Sequence, residues 1–417
     1  MYPHVLNNSI LHYFEDRGIL ITDVGNYVLN DVEIYMIEKF SGNKSINEIT
    51  SEIAIELETD DKFKIENIMM DFIKSKSNFI FLSELPKSTY FKKTGLKDAK
   101  VPMGVVLSLT DKCNLNCIHC FKKCSNKNDD FIPYNELIDT LSFLKDKTTN
   151  IQLTGGEPML HNKFFDILKH CIDNFDTSIT TNGTLINSEN VNNYKGVNTV
   201  QISMYSYEEN KHDLVTTVSG SFRKTINAIN ELSKIKIPST VSTIITKQNI
   251  NNIENMIEFT YKIGASSIRF GNLTSSGRAA SLSSLVISQE DIKNVEYILD
   301  DLSEKYRNKI RVLTWREDEN KKGIDFKHKS LECGAGLLNW CISEAGIIKP
   351  CEFLDDDVCP IGNIKENKVE ELVKNYNLDK MTEGLIRFEK KLNKENTSIK
   401  NMCQQIKNYY LQYCISE

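Results

Sequence analysis

Several features of membrane, secreted and nucleic-acid-binding proteins are missing from this chain of 417 residues. No run approaches the roughly 18–20 consecutive apolar residues that span a bilayer, and acidic residues interrupt the N-terminal stretch where a signal peptide would be apolar. Lysine and arginine total 51 against 57 for aspartate and glutamate, so the net charge of -6 argues against a general electrostatic grip on nucleic acid. We therefore expect a cytoplasmic globular protein that binds neither membrane nor nucleic acid.

Cysteine, in contrast, is plentiful, with 11 residues in the chain. Because the cytoplasm keeps thiols reduced, disulfides are not expected, and the spacing of the cysteines has to be considered for metal ligation. That spacing becomes the main guide to function.

The first 85 residues contain the elements of a small α+β domain. A hairpin is predicted from strands at 18–22 and 27–30, followed by three amphipathic helices and a strand at 79–82. These elements predict a winged helix, but the third helix carries acidic residues among its lysines and lacks the basic surface that reads DNA. Two interpretations stay open: a structural cap, or a peptide clamp in which an extended peptide pairs with the exposed edge of a three-stranded sheet.

Alternating strands and helices dominate the rest of the chain. A lysine-rich stretch bounded by prolines, residues 86–103, is predicted to be a linker. Over residues 104–315 predicted strands alternate with predicted helices, as in a parallel α/β barrel or open sheet. Catalytic groups are expected at the carboxyl ends of the strands. Residues 316–417 form a further predicted domain. The predicted barrel strands are 105–109, 151–154, 178–181, 200–203, 239–245 and 267–270.

Three cysteines follow the first barrel strand with the spacing C-x3-C-x2-C: Cys113, Cys117 and Cys120. Three thiolates on one tight loop suit an iron–sulfur cluster whose fourth iron has no protein ligand and stays open to a small molecule. A structural zinc site is the alternative, with Cys124 as its fourth ligand.

This cysteine loop resembles that of the radical S-adenosylmethionine (radical SAM) superfamily. The resemblance implies a [4Fe–4S] cluster on the three cysteines, with S-adenosylmethionine chelated to the open iron. It also implies a reductant of the flavodoxin or ferredoxin type, whose electron cleaves the cofactor to a 5′-deoxyadenosyl radical. The implied fold is α/β, a partial (β/α)6 barrel of the TIM type.

A second motif of the superfamily follows the second barrel strand. The segment Gly155-Gly156-Glu157-Pro158 is similar to the one that receives the methionine ammonium of the cofactor. The glycines would let the backbone approach the ligand, and Glu157 offers a negative charge. This match supports the cluster interpretation over zinc.

The resemblance implies further cofactor contacts from other strand ends. His119 is similar to a position near the adenine and Ser203 to one near the ribose, while the segment 268–279 is similar to one that borders the adenine and carboxylate. Related enzymes carry an arginine for the carboxylate after the pair that matches His212-Asp213, but this chain has none there. Arg223 is one candidate to replace it. The implied cofactor-binding residues outside the glycine motif are His119, Asn182, Ser203 and Arg269, the last being the second candidate for the carboxylate.

Further cysteines lie beyond the predicted barrel. Cys333 and Cys351, in the pattern C-x12-G-x4-C, resemble the opening of the SPASM/twitch extension, which holds auxiliary iron–sulfur clusters in peptide-modifying members of the superfamily. The remaining SPASM pattern is missing, so one auxiliary cluster is favoured over two. Cys341 lies in a predicted strand, where a buried free thiol is the ordinary case. The candidate auxiliary ligands are Cys333, Cys351, Cys403, Cys414, Cys359 and Cys341.

The whole chain resembles the maturases of ribosomally synthesised and post-translationally modified peptides (RiPPs), and among them the sactipeptide maturases. Residues 1–85 then resemble a PqqD-like RiPP recognition element, which binds the leader of a precursor peptide. The resemblance implies that the radical takes a hydrogen from an α-carbon of that peptide, to which a cysteine sulfur of the same peptide bonds as a thioether. Glu352 is a candidate general base for the thiol, or a surface acid.

Other radical reactions on a peptide stay open beside thioether formation. They are epimerisation, carbon–carbon crosslinking and a thioether to a β- or γ-carbon. The intact cysteine loop with its glycine motif argues against a non-catalytic peptide-binding or metal-storing protein.

Overall fold

In a computed structural model, the chain is described over residues 1–274, 276–313 and 335–377. Within these ranges lie three β-sheets of two, four and ten strands, with α-helices packed on them. None of the helices in these ranges is both long and apolar enough to cross a bilayer.

The two smaller sheets belong to the N-terminal unit, in which the predicted hairpin and three helices are confirmed. The second helix starts as a capping box, in which the Ser45 side chain and the Glu48 side chain each bind the other's backbone N–H. The strands are β1 Tyr2–Val5, β2 Ile10–Phe14, β3 Arg17–Thr22, β4 Gly25–Asn30, β5 Ile80–Ser83 and β6 Lys92–Leu96. The helices are α1 Asp31–Lys39, α2 Ile46–Glu56 and α3 Lys62–Ser75.

The order of the N-terminal strands differs from the prediction. The returning strand β5 pairs antiparallel with β1 and does not join the hairpin. The hairpin strands β3 and β4 lie in a sheet of order β4-β3-β2-β6, whose fourth strand comes from the predicted linker and pairs parallel with β2. The predicted three-stranded sheet is therefore wrong, because a segment distant in sequence occupies one of its edges.

A buried histidine holds the linker segment against this sheet. The His12 ring contacts Thr94 Oγ1 through Nδ1 at 3.0 Å and the Val101 carbonyl oxygen through Nε2 at 2.9 Å. Burial lowers the pKa of His12, so the ring is neutral and supplies one donor and one acceptor. Residues 92–101 are thereby part of the N-terminal unit.

The large sheet contains the parallel strands that the alternating sequence pattern predicts. All six predicted barrel strands are confirmed, and β13 extends the parallel set by one. The strands are β7 Gly104–Ser108, β8 Asn150–Thr154, β9 Asp176–Thr181, β10 Thr199–Ser203, β11 Ser239–Ile245, β12 Ser267–Asn272 and β13 Arg311–Leu313. The helices are α4 Tyr134–Leu144, α5 Phe164–Asn174, α6 Glu209–Thr216, α7 Ser221–Lys234, α8 Ile253–Lys262 and α9 Gln289–Tyr306.

The same sheet continues into the C-terminal part of the chain. β14 (Asn339–Ile342) pairs parallel with β7, and β15 (Ile347–Lys349) and β16 (Gly362–Asn363) follow antiparallel. A further helix, α10, spans Val369–Asn375. The predicted boundary at residue 315 lies outside the described residues, but described strands on both sides of it belong to one sheet. The chain therefore leaves β14 at the same edge as the cysteine loop after β7.

Glu157 ties two neighbouring strands together from inside the protein. Its carboxyl group is fully buried and accepts hydrogen bonds from Thr181 Oγ1 at 2.8 Å and from the Asn182 backbone N–H at 2.9 Å. Burial raises the pKa of Glu157 to about 7, against an ordinary value of 4.5. The shift corresponds to a preference of about 3 kcal/mol for the neutral carboxylic acid.

This raised pKa predicts a pH-dependent contribution to stability. Because the folded-state pKa lies above the unfolded one, the contribution is complete at low pH and is lost as the pH rises through about 7. Glu157→Gln keeps a neutral side chain of similar shape at every pH. We expect the melting temperature of the wild type to fall relative to that of Glu157→Gln between about pH 4.5 and about pH 7, and the difference to level off above about pH 7, in thermal unfolding followed by circular dichroism. A difference that stays constant across this range would contradict the assigned ionisation.

Candidate active site

A cavity of about 590 Å³ opens at the carboxyl ends of the parallel strands, where the sequence predicts the site. The three cysteines of the C-x3-C-x2-C loop line it together with residues that follow β8, β9 and β10. The predicted site residues among its lining are Cys113, Cys117, Cys120, His119, Gly155, Gly156, Asn182, Ser203, Arg269 and Glu352. Residues separated by more than 200 positions in sequence therefore meet in one space.

The cysteine loop is held by its own backbone and by α6. The Cys113 N–H binds the Ser125 carbonyl oxygen at 2.9 Å, which closes the loop on itself. The N–H groups of Asn116 and Ile118 bind the carbonyl oxygens of Thr216 and Val215 at 3.1 and 3.0 Å. These bonds satisfy polar backbone groups that a loop lining a cavity would otherwise leave unpaired.

Each of the three thiols has a different electrostatic environment. Cys113 Sγ accepts hydrogen bonds from the Leu115 N–H at 3.5 Å and from Asn182 Nδ2 at 3.8 Å. Burial raises the pKa of Cys113 to about 11 and that of Cys117 to about 12, whereas a hydrogen bond with the Cys124 side chain lowers the pKa of Cys120 to about 6. Metal binding must therefore release protons from Cys113 and Cys117.

The geometry of these thiols bears on the choice between zinc and a cluster. In the described ranges, no three or more His, Cys, Asp or Glu side chains are gathered closely enough to hold a single metal ion. A zinc site on the three cysteines and Cys124 would need such convergence. An iron–sulfur cluster does not, because each thiolate binds a different iron at a corner of the cluster. Three thiols on the wall of one cavity fit the cluster.

The two glycines at the end of β8 have a packing role that the sequence analysis did not foresee. A Cβ atom added to Gly155 would lie 2.4 Å from the Thr110 carbonyl oxygen, and one added to Gly156 would lie 2.4 Å from that of Lys112. The Gly155 φ angle of +150° also disfavours a side chain. The glycines thus let the strand end press against the backbone that leads into Cys113.

Glu157 and Pro158 lie outside the residues that line the cavity. Both are buried, with Pro158 at the start of a short 3-10 helix that ends at Leu160. The Glu157 carboxyl group already binds Thr181 and Asn182. In this structure it therefore stabilises the strand ends that form the cavity wall and does not line the cavity itself.

His119 separates the cavity from a second one of about 510 Å³, lined by residues of β11, α6 and α8. Its ring stands edge-on to the ring of Tyr205, with 4.4 Å between their centroids. Burial lowers the pKa of His119 to about 4, so the ring is neutral at physiological pH. Both side chains line both cavities, and Tyr205 was not among the predicted site residues, although it follows the end of β10 by two positions.

The two candidate arginines lie in different places. Arg269 lines the 590 Å³ cavity. Arg223 lies on α7, is largely exposed, and forms an ion pair with Glu209 at 2.7 Å. Only Arg269 of this pair is therefore positioned to meet a ligand in the cavity.

The C-terminal segment supplies one wall of the cavity. Glu352 and Phe353 line it, and the Phe353 ring lies 5.0 Å from that of Phe121 between centroids. Burial raises the pKa of Glu352, while the nearby positive charges of Lys122 and Lys349 oppose that rise. Glu352 is therefore more basic than a surface carboxylate, as a proton acceptor requires.

A buried ion pair fastens this wall to the cysteine loop. Lys122 Nζ lies 2.7 Å from Glu344 Oε2, and both side chains also contact Ser108 at the end of β7. Removing one partner would leave a buried charge, which costs far more than an exposed pair contributes. No sequence pattern predicts this pair, because its members lie 222 residues apart.

The remaining cysteines are only partly within the described residues. Cys333, Cys403 and Cys414 lie outside them. Cys341 and Cys359 are buried, and Cys351 is half-buried beside Glu352. The auxiliary cluster stays a prediction.

Comparison with known proteins shows what this part of the chain is similar to. Residues 107–260 match the model of the Radical SAM superfamily. The sporulation killing factor maturation protein SkfB of Bacillus subtilis (strain 168) is 27% identical over 284 residues, which are 67% of this chain and 66% of SkfB. The chain thus spans just under two thirds of that relative. The antilisterial bacteriocin subtilosin biosynthesis protein AlbA of the same organism is 22% identical, over 89% of this chain and 84% of AlbA.

A solved structure with a similar fold covers almost the whole chain. The crystal structure of Streptococcus suis SuiB bound to precursor peptide SuiA superposes with a TM-score of 0.58 at 15% identity, over 90% of this chain and 89% of that chain. At this identity the likeness concerns the fold. The three cysteines and most of the strand-end cavity lie within residues 107–260, the part of the chain that is similar to the Radical SAM superfamily.

Proposed function

We propose that the protein is a RiPP maturase that forms an intramolecular thioether between a cysteine sulfur and an α-carbon of a precursor peptide. The observation that carries the proposal is the shared cavity, which the three loop cysteines line together with Arg269 and Glu352. The names of two relatives, a sporulation killing factor maturation protein and a bacteriocin biosynthesis protein, support a peptide product. The bound precursor of SuiB supports a peptide substrate for this fold.

Cys113, Cys117 and Cys120 would hold the cluster. When bound, the [4Fe–4S] cluster and S-adenosylmethionine supply a 5′-deoxyadenosyl radical, with a flavodoxin- or ferredoxin-type protein as the electron source. The role of the chain's own residues is to bind the cluster and S-adenosylmethionine and to orient them. Asn182 and the Leu115 N–H donate hydrogen bonds to Cys113 Sγ, which favours its thiolate form.

The cofactor would lie across the strand ends. Arg269 is the cation for its carboxylate, and Ser203 lies at the end of β10 where the ribose is expected. The second cavity, beside His119 and Tyr205, has the mainly apolar lining that an adenine ring needs.

Removing one loop cysteine tests the cluster assignment. Cys113→Ala leaves two thiolates, so we expect the loss of 5′-deoxyadenosine formation in an anaerobic assay with dithionite as reductant. Cys171→Ala is the matched control, because Cys171 is fully buried on α5 away from the cavity. The control should keep the activity, and 5′-deoxyadenosine formation by Cys113→Ala at the wild-type rate would refute the assignment.

The thioether reaction requires a proton acceptor and an electron acceptor near the cysteine loop. Hydrogen-atom removal from the peptide and deprotonation of its cysteine leave one electron to be accepted before the carbon–sulfur bond is complete. Glu352, with its raised pKa, would accept the thiol proton. Cys351, next to Glu352 in sequence, would help to hold an auxiliary cluster, which would supply an acceptor for that electron.

Tandem mass spectrometry of the modified precursor tests the reaction type. A thioether removes two hydrogen atoms per crosslink and protects the linked cysteine from alkylation, so we expect both changes after co-expression with the precursor. An unchanged mass with one deuterium gained from heavy water would instead identify an epimerase. A mass loss with all cysteines still open to alkylation would identify a carbon–carbon crosslink.

The N-terminal unit would bind the leader. On the side of β4 away from β3, the described residues contain no further strand, so this edge can pair with an extended peptide. On α3, the apolar side chains of Phe63 and Ile68 are exposed, at 77% and 47%. An unpaired edge and exposed apolar side chains are what a bound leader would cover.

A surface variant tests leader binding without disturbing the core. Deletion of residues 1–85 is unsuitable, because Phe14, Ile19 and Val28 belong to the barrel's apolar core. Ile68→Lys removes a half-exposed apolar contact, so we expect the Kd for the precursor to rise roughly tenfold in fluorescence anisotropy. Ile298→Lys, on α9 at 43% exposure, is the matched control and should bind normally. Equal affinities for both variants would argue against a leader site on α3.

A further inference from the structure

A segment after β12, residues 276–278, is hydrogen-bonded to the backbone of the cysteine loop. The Arg278 backbone N–H binds the Cys120 carbonyl oxygen at 2.9 Å, and Ser276 Oγ lies 3.4 Å from the Phe121 carbonyl oxygen. The two segments are about 155 residues apart in sequence. Their contact is therefore a tertiary constraint on the loop and not part of its local turn.

The side chain of Arg278 makes the strongest of these contacts. Its Nε donates to the Cys117 carbonyl oxygen at 2.8 Å, and its Nη2 donates to the Cys124 carbonyl oxygen at 2.9 Å. Hydrogen bonds from a charged donor are stronger than neutral ones, and the planar guanidinium fixes two acceptors at once. One side chain thus sets the distance between the backbone at Cys117 and the backbone at Cys124.

Gly277 allows the segment to come this close. Its φ angle is +59°, and a Cβ atom there would lie 2.2 Å from the Phe121 carbonyl oxygen and 2.5 Å from that of Cys120. Both the left-handed backbone and the close approach require glycine. The pair Gly277-Arg278 therefore packs directly against the backbone of the cysteine loop.

We propose that Arg278 is a positioning residue that holds the cysteine loop in the conformation that retains the cluster and keeps a positive charge beside it. The proposal rests on the cluster assigned to Cys113, Cys117 and Cys120 in the proposed function. Arg278 does not line the cavity, so it acts through the loop and not on the substrate.

Two properties of the loaded enzyme should depend on Arg278. Loss of two charge-assisted hydrogen bonds would let the loop open, so a chelator would remove the cluster faster. Loss of the positive charge would disfavour the reduced cluster, which carries one more negative charge, so the midpoint potential would become more negative. A lysine keeps the charge but cannot bind both carbonyl oxygens in the fixed geometry of the guanidinium.

The experiment uses the anaerobically reconstituted full chain. Electron paramagnetic resonance (EPR) follows the reduced-cluster signal that changes on addition of S-adenosylmethionine, because only a cluster with an open iron responds in this way. For each variant, loss of this signal to an iron chelator gives a rate, and a redox titration gives the midpoint potential. Arg278→Gln and Arg278→Lys are compared with Arg307→Gln, a matched control at an exposed arginine paired with Glu304.

We expect Arg278→Gln to lose the signal roughly tenfold faster than the wild type and to shift the midpoint potential to more negative values. Arg278→Lys should also lose the signal faster but keep a potential close to that of the wild type. Arg307→Gln should match the wild type in both.

Wild-type chelation rates and potentials in both Arg278 variants would overturn the proposal, even if their melting temperatures fell, because Arg278 would then serve only the fold. If Arg278→Gln does not fold, Arg278→Lys decides the question by its chelation rate. Absence of a signal that responds to S-adenosylmethionine in the wild type would refute the cluster assignment itself, which is a different failure.

Discussion

The parallel pairing of β7 with its neighbours is the constraint on which the site depends. Because parallel strands end at the same edge of a sheet, the loops after β7, β8, β9 and β10 must meet there. The loop after β7 carries the three cysteines, and the glycine pair after β8 packs against its base. β14 joins β7 in parallel on its other side and brings Glu344 to the same edge. The parallel pairing of these strands therefore brings five separate stretches of sequence together in one site.

Burying so many ionisable groups near one cavity has an energetic cost, and the structure offsets it with specific partners. The Lys122–Glu344 pair satisfies both of its charges, and Glu157 is buried with its carboxyl group hydrogen-bonded and its pKa near neutrality. The hydrogen bonds to the thiols of Cys113 and Cys117 do not offset their burial, so both stay protonated until a metal takes the place of their protons.

Local sequence patterns predicted the features that local physics determines. The apolar runs marked six barrel strands, and the cysteine spacing with the glycine motif marked the loops that line the cavity. Contacts between distant segments were missed, because no periodicity or spacing records them. Three such contacts are the pairing of β6, from the predicted linker, with β2, the Lys122–Glu344 ion pair, and the hydrogen bonds from Arg278 to the cysteine loop. Arg278 lies in the segment 268–279 that resembles a superfamily motif, but its hydrogen bonds to the carbonyl oxygens of Cys117 and Cys124 are visible only in the fold.

The central claim is that the three-cysteine loop holds a cluster whose open iron binds S-adenosylmethionine. Electron–nuclear double resonance of the reduced enzyme, with the cofactor labelled with 15N at its amino group, tests this claim most directly. The account predicts a hyperfine coupling between the cluster spin and the label, which is lost in Cys113→Ala. A wild-type cluster signal without any coupling to the label would contradict the account.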